Sequence, residues 1–316
     1  VYLSARRATI SKMMLNSLLV LSYKNQVDYG VLGRALSGHN GTINIPTKVL
    51  DKMMVSQPDS ASTYQNWKNH INGTGPFPNG YKLATHFWKS DILSYRGANY
   101  YLSAKVISNR TYGAEMLNNE NLKCANLPMG ATNIMSTGDE YRNIFPVWNW
   151  SRVPGTTAEL NDAATLPDSS YIKGKNAFAG GMSHGDDGIL SYDHNYRSII
   201  AKKSYFFINN MMLCLGAGIT ANKSNPILTS VNQTTLVGDV SYNNGSTQTL
   251  GTTPLTGSNI NWAYHNNVGY IFPLGGNLTV QKASQSGSWR LLKLSGSTAS
   301  PSRNLLSAWF NDRHNP

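Results

Sequence analysis

Charge is scarce in this chain of 316 residues, where Asp, Glu, Lys and Arg together make up 14% against 40% hydrophobic residues. That balance excludes an intrinsically disordered chain, which carries much charge and has little to bury. The length suffices for one large or two modest domains with a sizeable core. Acid is the scarcer sign: 16 Asp and Glu stand against 27 Lys and Arg, a formal net charge of +11. A basic surface favours polyanions, namely nucleic acid, anionic lipid or acidic polysaccharide. Helix-turn-helix, zinc-finger, RNP and P-loop patterns are all missing, so nucleic acid is not the expected partner. No apolar run reaches the ~18 residues that a membrane-spanning helix needs, and no membrane is expected as a partner.

Cysteine is rare too. Cys124 and Cys214 are the two present; they allow one disulfide without demanding it, and their spacing is wrong for a zinc site. Each is read as a small buried apolar residue. The chain opens on Val rather than Met and carries no signal-peptide pattern, while its N-x-S/T sequons are compatible with secretion but decide nothing in an Asn-rich sequence. No internal repeat of fixed period is found.

What is abundant is Asn, Ser, Thr, Gly and Tyr, which suits a β-rich protein with polar loops. Helical patterning is confined to the start. Ile10, Met13, Met14, Leu18 and Leu21 recur at helical intervals over residues 9 to 23, with Thr9 or Ser11 as cap. Arg6 and Arg7 sit just before, where cations oppose the helix dipole by a few tenths of a kcal/mol or more. A nearby anion would relieve that conflict; two solvated cations are the plainer alternative. A second helical stretch runs from Tyr23 to Asp59 with breaks at Gly38-His39-Asn40-Gly41 and at Pro46. The Gly/Pro turn from Gly73 to Pro78 places a domain boundary near residues 65 to 80. Beyond it the pattern is strand-like, overwhelmingly so after Thr157. Two apolar runs between Ser198 and Ile219 are split by Asn209-Asn210, whose tolerance of positive φ predicts a two-residue hairpin turn. Further strands are expected around 227–239, 249–254, 267–272, 277–282, 287–294 and 304–310, a spacing that argues for a β-sandwich.

One stretch, Asn118 to Thr157, organises the rest. Glu120 is set among Asn118, Asn119 and Asn121; Phe145, Trp148 and Trp150 follow, then the turn Pro154-Gly155-Thr156-Thr157. A carboxylate flanked by amides can orient hydroxyls, and flat aromatic faces cover sugar rings. The plainer reading is a turn-rich loop with core tryptophans, and Trp148 and Trp150 are read as core. The pieces N-x-E-N, G-A-T, G-D-E-Y, F-P-V-W-N-W and P-G-T-T occur in that order. They continue with Gly180-Gly181, Ala201-Lys202-Lys203-Ser204-Tyr205-Phe206-Phe207, Leu215-Gly216-Ala217-Gly218-Ile219 and Val231-Asn232-Gln233-Thr234. His265-Asn266-Asn267-Val268-Gly269-Tyr270, Gly287-Ser288-Trp289 and Ala308-Trp309-Phe310 complete the set. Together they resemble the polysaccharide lyases of the hyaluronate lyase, chondroitin lyase and xanthan lyase family along nearly the whole chain.

The resemblance implies a mainly β fold: a large antiparallel β-supersandwich, residues 71–316, preceded by the last helices of an α/α toroid, residues 1–70. Both ends then look cut, and the chain reads as an internal piece of a larger lyase. The family reaction is β-elimination at a uronic acid. The substrate carboxylate must be neutralised so that the proton beside it can be removed, and the leaving oxygen must be protonated. The Asn, His and Tyr that do this in the family precede an arginine pair in an R-x-I-S-R-like stretch, so they are expected outside this chain. That stretch is matched here onto Arg6-Arg7-Ala8-Thr9-Ile10-Ser11-Lys12, with one extra residue. Lys12 replaces the second arginine and cannot supply a bidentate fork. Arg6 or Arg7 then holds the first arginine's role, and Glu120 positions or tunes the Tyr and Arg across the cleft. Asn118, Asn121, Lys12 and His86 are the substrate-binding candidates, although a lone His is more often structural.

No cofactor is required by this chemistry. Glu159, Asp162 and Asp168 offer hard oxygen ligands for a structural Ca²⁺, as in some family members, but fit no EF-hand spacing; an acidic surface loop is the plainer reading. The implied partner is an acidic polysaccharide of the chondroitin or hyaluronan type, acted on by a secreted monomer. The competing expectation is a non-catalytic carbohydrate-binding β-sandwich protein.

Overall fold

A computed structural model describes residues 2–38, 47–78, 84–160 and 170–312. Helices Tyr2–Val20, Thr47–Ser56 and Ala61–Ile71, with the single turn Ala35–Gly38, come first. Leu19, Leu50, Met53, Tyr64, Trp67 and Ile71 form their common core. The first helix begins eight residues before Ile10, where its apolar periodicity starts, and Ile10 and Met13 remain 48% and 64% exposed. Its apolar stripe marks the helix but overruns its end, and the stretch read as helical from Tyr23 opens instead with the short paired strands Ser22–Tyr23 and Gln26–Val27. The breaks expected at His39-Asn40-Gly41 and Pro46 lie outside the described residues.

Antiparallel sheets make up the rest, so the expected mainly β architecture with a small helical lead-in is what the chain adopts. One four-stranded antiparallel sheet runs Ala84–Phe87, Ile92–Arg96, Tyr101–Lys105, Ala131–Met135; a second, a meander, runs Ala179–His184, Asp187–Tyr196, Ile199–Ile208, Met211–Ala221. Leu93, Tyr95 and Ala104 from the first pack against Leu190, Tyr192, Tyr205 and Phe207 from the second, a sheet-on-sheet core. A five-stranded sheet centred on Ser302–Asp312 and a small sheet around Ser241–Asn243 share another core, which includes Val240, Ile260, Phe272, Leu278 and Val280.

Asn209 and Asn210 do form the two-residue turn, with φ of 46° and 62°. Asn266-Asn267 (φ 46° and 64°) and Arg197-Ser198 (φ 50° and 65°) join their strands in the same way, matching the right-handed strand twist. Two strand expectations fail. Between strands Thr247–Thr249 and Leu255–Gly257 the chain is irregular. Residues 287–294 are not a strand either: Trp289–Leu291 is a 3₁₀ turn, because Leu292 turns inward to full burial and Trp289 packs on the same core.

Three of the motif pieces, F-P-V-W-N-W, G-A-T and P-G-T-T, owe their residues to packing. Trp148 stands edge-to-face with Phe145, Tyr29 and Trp150 at centroid distances of 5.1, 5.2 and 5.4 Å. Its indole N–H donates to the Gln233 carbonyl at 3.1 Å. Both tryptophans are therefore core. Tyr29 belongs to the segment after the first helix, so this cluster docks the helical region onto the sandwich. Gly130 of G-A-T and Gly155 of P-G-T-T face each other, with φ of 85° and 80°; a Cβ on Gly155 would lie 2.5 Å from the Gly130 carbonyl oxygen.

Arg96 is a second joint. It is buried on strand Ile92–Arg96, 2.7 Å from Nε2 of His70 and 4.0 Å from the Phe77 ring centroid. Among the described residues no carboxylate pairs with it. Cys124 and Cys214 are both free thiols. Cys124 is buried as expected, whereas Cys214 is exposed on Met211–Ala221, an outer strand of its sheet.

Candidate active-site groove

The site is built where the short helix Ala35–Gly38 meets the loop after strand Tyr112–Met116. Leu36 is fully buried and anchors the turn, leaving Arg34 partly buried with its side chain 31% exposed. Opposite, Asn118, Asn119 and Asn121 adopt φ of 58°, 54° and 64°, a left-handed conformation that Asn tolerates better than other non-glycine residues. The loop is braced on two sides. Ser37 Oγ accepts the Asn121 amide at 2.8 Å, and Asn121 Nδ2 donates to the Glu115 carbonyl at 3.2 Å. From the far end of the chain, the Leu294 amide donates to the Asn119 carbonyl and the Leu292 carbonyl accepts the Leu122 amide, each at 3.0 Å.

These braces gather four charges of alternating sign. Lys293 Nζ is 2.7 Å from one Glu120 oxygen, and Arg34 Nε is 3.6 Å from the other and 3.9 Å from Glu115. Arg34 and Glu115 line a cavity of about 530 Å³ together with Gly33, Tyr112, Gly113, Ala114 and Tyr171. It adjoins a second cavity of about 440 Å³ that shares Gly33, Tyr112 and Gly113 and adds Lys89, Lys105 and Arg110. Among the described residues no acidic side chain lines this second part. Burial lowers the Lys105 ammonium to about 8, with Asp91 and Asp28 acting in the opposite direction. Tyr112 and Tyr171 are 66% and 56% exposed with ring centroids 5.8 Å apart, and Lys173 Nζ stands 5.6 Å from the Tyr112 ring. Arg110 is paired with Asp91 at 3.0 Å, and Lys105 Nζ donates to the Ser90 and Val106 carbonyls at 2.7 Å each. Of the described lining residues, Arg34 and Lys89 are thus the cations left for an anionic group, beside exposed tyrosine rings for sugar.

Of the residues singled out in the sequence, Glu120 is at this site, half-buried between Arg34 and Lys293. Asn118 is exposed on the same loop, and Asn121 is buried beneath it as a brace. Arg6 and Lys12 are exposed on the first helix, and no described ion pair joins either to Glu120; the Arg7 side chain lies outside the described set. His86 is not in the groove lining. Its Nε2 faces Gly181 of the neighbouring sheet, where burial lowers its pKa. Glu159 pairs with Lys223 at 3.1 Å and accepts from Asn225 Nδ2 at 2.9 Å. Asp162 and Asp168 lie outside the described residues, and among those described no group of three His, Cys, Asp or Glu is placed to hold a metal.

Two residues of the site were missed by sequence reasoning. Arg34-Ala35-Leu36-Ser37 carries the R-x-I-S spacing with Leu for Ile and no inserted residue, and Gly38 stands at the second arginine. That signal was present. Lys293 had none, since its role depends on a contact with Glu120 across more than half the chain.

Residues 82–316 match the model of polysaccharide lyase family 8, super-sandwich domain, and the chain belongs to that family. Within it, the chain is 33% identical over 317 residues to chondroitinase-AC of Pedobacter heparinus, covering 98% of this chain and 45% of that relative. It is 29% identical over 221 residues to a hyaluronate lyase of Thermasporomyces composti, covering 66% and 28%. A solved chondroitinase AC lyase superposes with a TM-score of 0.88 at 30% identity, covering 95% of this chain and 45% of that one. The chain spans less than half the length of these relatives.

Proposed function

We propose that this chain is part of a lyase that cleaves uronic-acid-containing glycans of the chondroitin or hyaluronan type by β-elimination, and that it supplies one wall of the active site. The observation that carries the reading is the placement of Arg34 between Glu115 and Glu120 at the mouth of a groove flanked by exposed tyrosines. In it, Arg34 grips an oxyanion of the sugar, while Glu120 holds Arg34 and tunes the field across the cleft. Arg6 or Arg7, Lys12 and Asn118 extend the contact to neighbouring sugars. Residues 1–70 close a helical toroid and residues 71–316 form the central sandwich. The proton-transferring Tyr and His and the neutralising Asn come from the rest of the protein. Secretion and action as a monomer fit an enzyme of polymeric extracellular substrates; the reading requires no cofactor, and the Glu159 oxygens, taken by Lys223 and Asn225, do not favour a Ca²⁺ ion there.

The test is the ultraviolet absorbance of unsaturated uronate, measured with chondroitin and with hyaluronan. The full-length protein is expected to generate it, and the 316-residue chain is not. Glycan binding by the full-length protein without product would replace this reading with a non-catalytic carbohydrate-binding sandwich.

A further inference from the structure

Lys293 is a charged residue with no sequence signal that ends 2.7 Å from Glu120, the carboxylate standing behind the groove-lining Arg34. Its position is fixed by main chain rather than by its own flexible stem. Its amide donates to the Trp289 carbonyl at 2.9 Å and its carbonyl accepts the Gly296 amide at 2.7 Å. Residues 120 and 293 also form an isolated β-bridge. The flanking amide bonds from Leu294 to Asn119 and from Leu122 to Leu292 close the strap. A surface lysine on a mobile loop would contribute little; this one is held.

The charge count says what the strap does. Two acids, Glu115 and Glu120, face two bases, Arg34 and Lys293. A carboxylate left alone with an arginine favours the two-bond fork, which uses up the donors on that edge of the guanidinium. Here the fork does not form: Arg34 Nε stays at 3.6 Å from Glu120 and 3.9 Å from Glu115. The Arg34 Nη1 atom is enclosed without a hydrogen-bond partner among the described atoms. Lysine, a compact point charge, takes one Glu120 oxygen at close range.

We infer that Lys293 is a positioning residue: by holding Glu120 it keeps the Arg34 guanidinium free for an oxyanion, carboxylate or sulfate, of the sugar in the groove. This rests on the proposed glycan reading for its ligand but not for its geometry. Without Lys293, two carboxylates share one guanidinium, Arg34 closes onto Glu120, and the groove loses its grip on the anion.

The test uses the full-length protein carrying Lys293→Met, with Lys293→Gln as the alternative should the first not fold. Crystal structures are expected to show Arg34 closed onto Glu120 at fork distance, below about 3 Å. KM for the acidic glycan is expected to rise about fivefold to tenfold while kcat changes less than about twofold. Lys293→Arg is expected to restore KM. Glu120→Gln added to Lys293→Met is expected to restore KM as well, leaving kcat at the level of Glu120→Gln alone. An unmoved Arg34 overturns the inference, as does a loss shared equally by kcat and KM that neither change reverses. Absence of unsaturated product from the wild-type protein defeats the lyase reading instead, and the inference is then decided by the Arg34 position in the variant.

Discussion

The backbone amide of Asn121 donates to the Ser37 hydroxyl at 2.8 Å, across 84 residues of sequence. Ser37 in turn caps back onto the Arg34 carbonyl at 3.3 Å. One hydroxyl therefore couples the turn that presents Arg34 to the loop that presents Glu120. Ser37→Ala leaves a buried amide without its partner, at a cost of about 1–3 kcal/mol. Urea unfolding is expected to report that loss, and KM for glycan is expected to rise with it. Unchanged stability would mean that the two loops are held by other contacts.

Glu120→Gln in the full-length protein keeps the size of the side chain and removes its charge. Turnover is expected to fall by about tenfold or more while glycan binding changes far less, because electrostatic tuning acts most strongly where charge develops. Steady-state kinetics beside a direct binding measurement separates the two. Equal loss in both contradicts the role given to Glu120.

Arg34→Ala, Arg6→Ala and Arg7→Ala, made separately, identify which arginine grips the sugar. Arg34→Ala is expected to raise KM most, and Arg34→Lys to recover little of it, since lysine lacks the fork. A larger effect from Arg6 or Arg7 would return the role to the first helix.

Gly155→Ala is expected to destabilise the protein by about 2–4 kcal/mol, read as a lower urea midpoint. The new Cβ would meet the Gly130 carbonyl oxygen at 2.5 Å, and its φ of 80° already disfavours an L side chain. A midpoint within error of wild type would show that the two backbones can part.

His70 sets an acid limit. Burial, and then the nearby Arg96 charge, lower its pKa from 6.5 to about 4. The unfolded chain takes up this proton near pH 6.5 and the folded chain only near pH 4. Stability from neutral His70 is therefore full above pH 6.5 and declines as pH falls towards 4. Urea unfolding at stepped pH is expected to show a shallower decline over that window in His70→Gln, which retains an acceptor for Arg96.

The fold was legible because its signals are local or repeated. Asn209-Asn210 announces a hairpin through what Asn tolerates at positive φ, and Gly155 is demanded by the Gly130 backbone against it, as Gly130 is by the Tyr192 and Tyr205 hydroxyls. The strand expected at 287–294 misled because its apolar residues, Trp289 and Leu292, serve a 3₁₀ turn that enters the core from one side. The site was half legible. Glu120 stood out by its amide neighbours, and Arg34 lay in a spacing that Arg6-Arg7 resembled less closely. Lys293 could not be found by pattern, since nothing in its neighbours records the strap that brings it to Glu120.

The guanidinium of Arg96 leans on ring faces and a neutral imidazole, shielded from solvent, whereas the charges around Glu120 stand at a wet rim. Dissolved salt, which damps fields over about 8–10 Å in ordinary buffers, reaches the second arrangement and not the first. Rising ionic strength should accordingly release a bound polyanion well before it loosens the hinge between helices and sheets, so that elution by salt leaves the molecule folded and ready to bind again.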